Sequence, residues 1–187
     1  MKRNLVFLSI VLIFTMLFSS CQMEPVVPED QKTISGFSEN ENLYTDCVNY
    51  VSSLGFDALI SRVDYWSPEG SEEMEGLYIQ NMDDNSFIPC KEPCVVALFE
   101  NTDVKMIDFI SRDELNLCSF SLCLASKNFD FGFYFVSSDK PLYFGDLSAE
   151  LTENGQGYSY EQKASYGVKF TYYTEKMADN FYYYEIT

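Results

Sequence analysis

The feature that most constrains this fold is the alternation of apolar and polar residues after residue 57, which runs with a period of two through short segments. This period is typical of strands that bury one face, and the 14 Tyr and 16 Phe residues favour pleated sheet. Clusters of turn-forming residues separate the segments, and the long connections of parallel β-α-β units are missing. The pattern predicts an antiparallel meander, sandwich or partial barrel. The predicted strands are Ala58–Tyr65, Gly76–Asn81, Val95–Glu100, Lys105–Ile110, Leu115–Leu124, Phe129–Val136, Gly157–Glu161, Tyr166–Thr174 and Asn180–Ile186.

One helix is predicted ahead of the strands, over Glu39–Leu54. Ser38 and Glu41 are spaced as a capping box, in which each side chain accepts a hydrogen bond from the other residue's backbone amide. Gly55 follows as a left-handed stop. The fold class we expect is therefore α+β, with one N-terminal helix packed on a mostly antiparallel β-sheet or small sandwich. The apolar stripe of the helix is Leu43, Cys47, Tyr50, Val51 and Leu54.

The N-terminus has the layout of an export signal. Lys2 and Arg3 precede an apolar run over residues 5–18, which is shorter than the roughly 20 residues that a membrane-spanning helix needs. The run ends in Ser19-Ser20-Cys21, and this segment resembles the lipobox signal of bacterial lipoprotein precursors. The resemblance implies that residues 1–20 are removed and that Cys21 is acylated with chains such as palmitate. It also implies an exported protein that is anchored to the cell envelope, at the outer membrane. The alternative is an ordinary signal peptide cut near Ser20, which would leave Cys21 a plain thiol.

The remaining chain divides into two regions. Residues 21–37 comprise Cys21 and a polar stretch with two prolines and no periodicity, which predicts a flexible tether. Residues 38–187 are predicted to form a single acidic, aromatic-rich α+β domain.

Charge and composition exclude several functions. The net charge of −17 would repel a phosphate backbone, so we expect no nucleic-acid partner and no membrane contact except through the lipid. Histidine is absent, which excludes Ser-His-Asp and Cys-His catalysis and His-ligated zinc. We expect neither a cofactor nor a bound metal.

Besides Cys21, five cysteines remain, and export would place them in an oxidising compartment. Cys90 and Cys94 are predicted to close a turn between strands with a disulfide, while other pairings and a redox or metal role stay open. Because five is odd, one thiol at least must stay free or pair between chains. Cys118 and Cys123 would point to opposite faces of one strand and should not pair.

Two groups of acidic residues could offer oxygen ligands to a hard cation such as calcium. They are Asp83-Asp84-Asn85 and the glutamates of residues 69–75. Neither has the spacing of a calcium-binding loop, so we interpret both as solvated turns.

The C-terminal aromatics offer a candidate contact surface. If Tyr182, Tyr184 and Ile186 face the core, then Tyr173 and Tyr183 should be exposed and available to a partner. The function that we expect is that of a lipid-anchored, non-enzymatic envelope protein that contacts an unknown protein or surface. Two alternatives remain: a glycan- or solute-binding lipoprotein that uses these aromatics, and a carboxylate-based hydrolase.

Overall fold

The computed structural model describes residues 30–62, 76–112, 114–122, 130–155, 157–163 and 169–187. Within these residues, ten strands form one sheet in which every neighbouring pair is antiparallel, so the predicted sheet-rich antiparallel fold is confirmed. The order across the sheet is β3-β2-β1-β4-β5-β6-β10-β9-β8-β7. The elements, in chain order, are α1 (Asp30–Ser52), β1 (Ala58–Arg62), β2 (Leu77–Asn81), β3 (Phe87–Pro89), α2 (Pro93–Asn101), β4 (Met106–Arg112), β5 (Leu115–Ser121), β6 (Asp130–Val136), β7 (Thr152–Asn154), β8 (Gly157–Lys163), β9 (Lys169–Ala178) and β10 (Phe181–Ile186).

Helix α1 exists as predicted but begins earlier. It starts at Asp30, so Ser38 lies inside the helix and the predicted capping box does not form its N-terminus. Residues 30–37, which we expected in the tether, are therefore helical. Packing explains the extension, because Phe37 is only 2% exposed and its ring packs at a tilt against the rings of Tyr44, Phe133 and Phe181. At the other end Gly55 has φ 76°, which confirms the left-handed stop.

The segment Val95–Glu100 was predicted as a strand, and this is wrong, because it lies in helix α2. Pro93 occupies the first turn, where a helix loses nothing by the missing N–H. Val95, Leu98 and Phe99 are buried at helical spacing. A short apolar run does not by itself distinguish a strand from a buried helix, and here proline was the deciding signal.

Apolar side chains are buried on both faces of the sheet. On one face the helices pack over the strands in a cluster that we call the helix-side core, which includes Tyr44, Val51, Leu98, Phe120 and Phe133. On the other face lies the tyrosine core, which consists of Leu117, Tyr134, Val136, Tyr172, Tyr182 and Tyr184, with Leu142, Tyr143, Phe144 and Leu151 packed against it. The predicted core face of β5 is confirmed at Cys118 and Phe120, but Ser119 and Ser121 on its reverse face are buried as well.

Both edges of the sheet are short and poorly suited to pairing with another strand. Edge strand β7 has only three residues, and all are exposed. Edge strand β3 also has three residues and ends in Pro89, which has no N–H to offer. Cys90 N donates to Leu77 O, and Asn81 N donates to Ser86 O. The even-numbered residues in and next to β3 therefore bond to β2, so the backbone of Pro89 faces the open side. Short edge strands, and a proline on one of them, protect a sheet from edge-to-edge association.

Candidate functional site

The C-terminal hairpin does not form the exposed tyrosine surface that we expected. Tyr182 and Tyr184 are buried in the tyrosine core, as predicted. The prediction that Tyr183 is exposed is wrong, because it is 4% exposed in the helix-side core with its ring centroid 6.2 Å from that of Phe133. Tyr173 is half-buried against the same core, and its Oη donates to Glu175 Oε2 at 2.9 Å. Strand β10 lies between β6 and β9 and is covered on both faces, so parity did not select an outward side.

The tyrosine core is joined by hydrogen bonds between buried hydroxyls. Thr174 Oγ1 donates to Tyr183 O at 2.7 Å, so the 3.0 Å bond between Thr174 and Tyr134 must use the proton of Tyr134. Tyr134 Oη also accepts from Leu142 N at 3.2 Å, and Tyr172 Oη donates to Leu142 O at 2.9 Å. Burial raises the pKa of Tyr134 and of Tyr172. These phenols are neutral and mutually satisfied, which is the behaviour of a structural network.

Asp130 is the carboxylate with the most perturbed surroundings at this face. Burial raises its pKa to about 6, against a lesser opposing effect of the hydrogen bond from Tyr184. Tyr184 Oη donates to Asp130 Oδ2 at 3.3 Å and lies 3.0 Å from Ser121 Oγ. Asp130 Oδ1 is buried without a hydrogen-bond partner among the described residues. Burial also raises the pKa of Asp108, on the same face of the sheet in β4. Perturbed carboxylates of this kind are what a carboxylate-based hydrolase would use, although structural networks perturb pKa values too.

Cys90 and Cys94 do not form the predicted disulfide in the structure, where both are free thiols. The turn that we expected there is the junction between β3 and α2, and Cys94 lies in the first turn of the helix. Cys47 of α1 is close enough to both for the three thiols to influence one another electrostatically. Burial raises the pKa of all three, which makes them poor nucleophiles. A disulfide between Cys90 and Cys94 stays a prediction, and Cys123 lies outside the described residues.

A pocket opens where the end of β1, the start of β2, the residues after β3 and one face of α2 meet, and we call it the Arg62 pocket. Its volume is about 260 Å³. It is lined by Arg62, Gly76, Leu77, Pro89, Cys90, Lys91, Val96 and Glu100. The antiparallel register sets Arg62 opposite Leu77, and Cys90 N donates to Leu77 O at 2.9 Å. Val96 and Glu100 are one turn apart on α2 and therefore share a face, while Leu98 and Phe99 point to the core.

The Arg62 pocket concentrates charge of both signs around an apolar floor. Arg62 Nη2 donates to Phe99 O, at the end of α2, at 3.2 Å, which holds the guanidinium over the last turn of the helix. The side chains of Lys91 and Glu100 make no hydrogen bond or ion pair with any other described residue. Sequence reasoning missed this site entirely, since its charged residues come from three separate segments.

The other predicted site residues do not gather into a centre. Cys21 and the glutamates of residues 69–75 lie outside the described residues. The turn Asp83-Asp84-Asn85 is exposed as expected, with Asp84 Oδ1 accepting from Ser86 N at 2.8 Å. In the described part of the chain, no group of three or more Cys, Asp or Glu residues is arranged to hold a metal ion.

No family model matches the chain, and no curated protein or solved structure matches it significantly. None of the helices in the described residues is long and apolar enough to cross a membrane.

Proposed function

We propose that this protein is a lipid-anchored envelope protein, sited at the outer membrane, that acts by binding rather than by catalysis. The anchor rests on the lipobox-like Ser19-Ser20-Cys21. The binding role rests on the Arg62 pocket, which combines an apolar lining with the charged side chains of Lys91 and Glu100, and these have no partner among the described residues. We retain a single acidic domain as part of this proposal, with the tether shortened to the residues that precede helix α1, because residues 30–37 of the predicted tether are helical.

The two modes of binding have different support. For contact with a protein or a surface, Tyr183 is no longer a candidate residue, because it is buried. Met82 and Ile88 at the β2–β3 hairpin are exposed. Binding of a small solute is supported by the Arg62 pocket, which is unrelated to the C-terminal aromatics. The solute-binding alternative is therefore the one that the geometry favours.

A carboxylate-based hydrolase is the weaker alternative. Asp130 and Asp108 have raised pKa values, but neither lines the Arg62 pocket. Among the described residues that line the pocket are two cations and one carboxylate, whereas glycoside hydrolysis requires a pair of carboxylates.

The anchor is tested by Cys21→Ala in cells that are fed a labelled fatty acid. The wild type should incorporate label and fractionate with membranes, and Cys21→Ala should lose the label, because the thiol is the site of acylation. Cys94→Ala is the matched control and should label like the wild type. Equal labelling of the Cys21 variant and the wild type would contradict the proposal.

A further inference from the structure

We propose that the Arg62 pocket binds a small monocarboxylate with an apolar body. This inference rests on the solute-binding form of the proposed function and names the class of solute. It follows from three properties of the pocket: its balance of charge, its size and its lining.

Among the described residues that line the pocket, cations outnumber carboxylates, in contrast to the composition of the whole chain. The chain has 12 basic and 29 acidic residues, yet two cations, Arg62 and Lys91, line the pocket against one carboxylate, Glu100. Arg62 uses one donor on Phe99 O and keeps its others, because a guanidinium has five N–H groups. Arg62 and Lys91 both line the pocket, and cations of this kind form charge-assisted hydrogen bonds with a carboxylate.

The negative charge of the protein as a whole does not prevent a carboxylate from binding in the pocket. The net charge of −17 repels anions at a distance, but salt screens exposed charges beyond about 8 Å at physiological ionic strength. Within that distance Arg62 and Lys91 are among the nearest charges to a ligand in the pocket. The acidic surface lowers the rate at which an anion enters the pocket more than it lowers the stability of the bound complex.

The size and the lining of the pocket define the rest of the ligand. A volume of about 260 Å³ is below the roughly 300 Å³ at which pockets for drug-sized molecules begin, so the ligand is small. Leu77, Pro89 and Val96 supply apolar lining. A short aliphatic or aromatic chain would bury its surface there, while the carboxylate stays at the cations. Hexanoate is a suitable probe for these requirements.

The test is calorimetric titration of the purified full chain in detergent with three six-carbon probes: hexanoate, hexylamine and hexanol. We expect hexanoate to bind at least about tenfold more tightly than the other two, because only it carries a negative charge for Arg62 and Lys91. Raising the salt concentration should weaken hexanoate binding, since Lys91 is exposed. Tighter binding of hexylamine than of hexanoate, or no binding of hexanoate, would overturn the inference.

Two variants locate the binding in this pocket. Lys91→Gln should weaken hexanoate binding by about fivefold, and Val96→Phe should reduce it further by filling the cavity. Lys140→Gln removes an exposed lysine that does not line the pocket and should leave binding unchanged. Equal affinity in Lys91→Gln and Lys140→Gln would also overturn the inference. Fatty-acid labelling of Cys21 is scored separately, so a failure of the anchor and a failure of the pocket are distinguishable.

Discussion

At the scale of single residues, Asp130 shows how a buried sheet face accommodates a carboxylate. The group accepts hydrogen bonds from Tyr184 and from the backbone of Phe131, and it leaves Oδ1 buried without a partner among the described residues. Its pKa therefore rises to about 6 from an ordinary value of 3.8. In the folded state Asp130 holds its proton to a higher pH than it does in the unfolded chain. Its contribution to stability is thus present at low pH and is lost as the pH rises through about 6.

Asp130→Asn tests this linkage. The amide stays neutral, so the variant should match the wild type near pH 4 and exceed it by about 1 kcal/mol above pH 7, after allowance for the partial exposure of the carboxyl group. Urea unfolding at the two pH values measures the difference. An equal effect of Asp130→Asn at both pH values would show that ionisation does not destabilise the folded state.

At the scale of elements, helix α1 is held by ring contacts rather than by its predicted cap. Phe37 has ring centroids 5.2 Å from Tyr44, 4.9 Å from Phe133 and 5.2 Å from Phe181. These contacts extend the helix past Ser38, because burying an aromatic ring stabilises more than a cap does. The same preference for packing over local signals explains why Tyr183 is internal.

Phe37→Ala should lower the free energy of unfolding by about 3 kcal/mol or more, as for other large-to-small changes in a core. Glu41→Ala is the matched control. Glu41 is exposed in the middle of the helix, and its loss should cost no more than about 0.5 kcal/mol, whereas a capping-box residue would cost more. Chemical denaturation followed by circular dichroism measures both. A larger cost for Glu41→Ala than for Phe37→Ala would place the start of the helix at Ser38 after all.

At the scale of the whole molecule, ion pairs between described residues neutralise little of the negative charge. Against a net charge of −17, the ion pairs between described residues are those of Lys176 with Asp139 at 2.7 Å and with Asp179 at 3.6 Å, both with exposed side chains. Exposed pairs of this kind contribute little to stability. Repulsion between carboxylates should therefore destabilise the folded state at low ionic strength.

The melting temperature should then rise by a few degrees between about 10 mM and about 150 mM salt, since the screening length falls from about 30 Å to about 8 Å. NaCl and KCl should act alike, because screening does not depend on the identity of the ion. Differential scanning calorimetry of the full chain measures the shift. A melting temperature that does not change with salt would show that repulsion between carboxylates contributes little to the stability of the folded state. A response to micromolar calcium alone would indicate a cation site instead.

The sequence by itself determined the elements whose signals are local. Period-two alternation predicted the antiparallel sheet, because side chains alternate between faces whatever the strand's neighbours are. Gly55 predicted the end of α1, because positive φ is a property of one residue. The short strands β3 and β7 were missed, since three residues carry too little pattern.

Only the tertiary structure decided what depends on neighbours distant in the chain. Tyr183 is buried because the face that its parity had marked as exposed belongs to the helix-side core. The Arg62 pocket exists because β1, the β3–α2 junction and α2 bring Arg62, Lys91 and Glu100 together from three segments. The spacing of residues in the sequence does not predict this proximity, because strand pairing and helix packing between distant parts of the chain set it. Burial of apolar surface in both cores drives that pairing and packing.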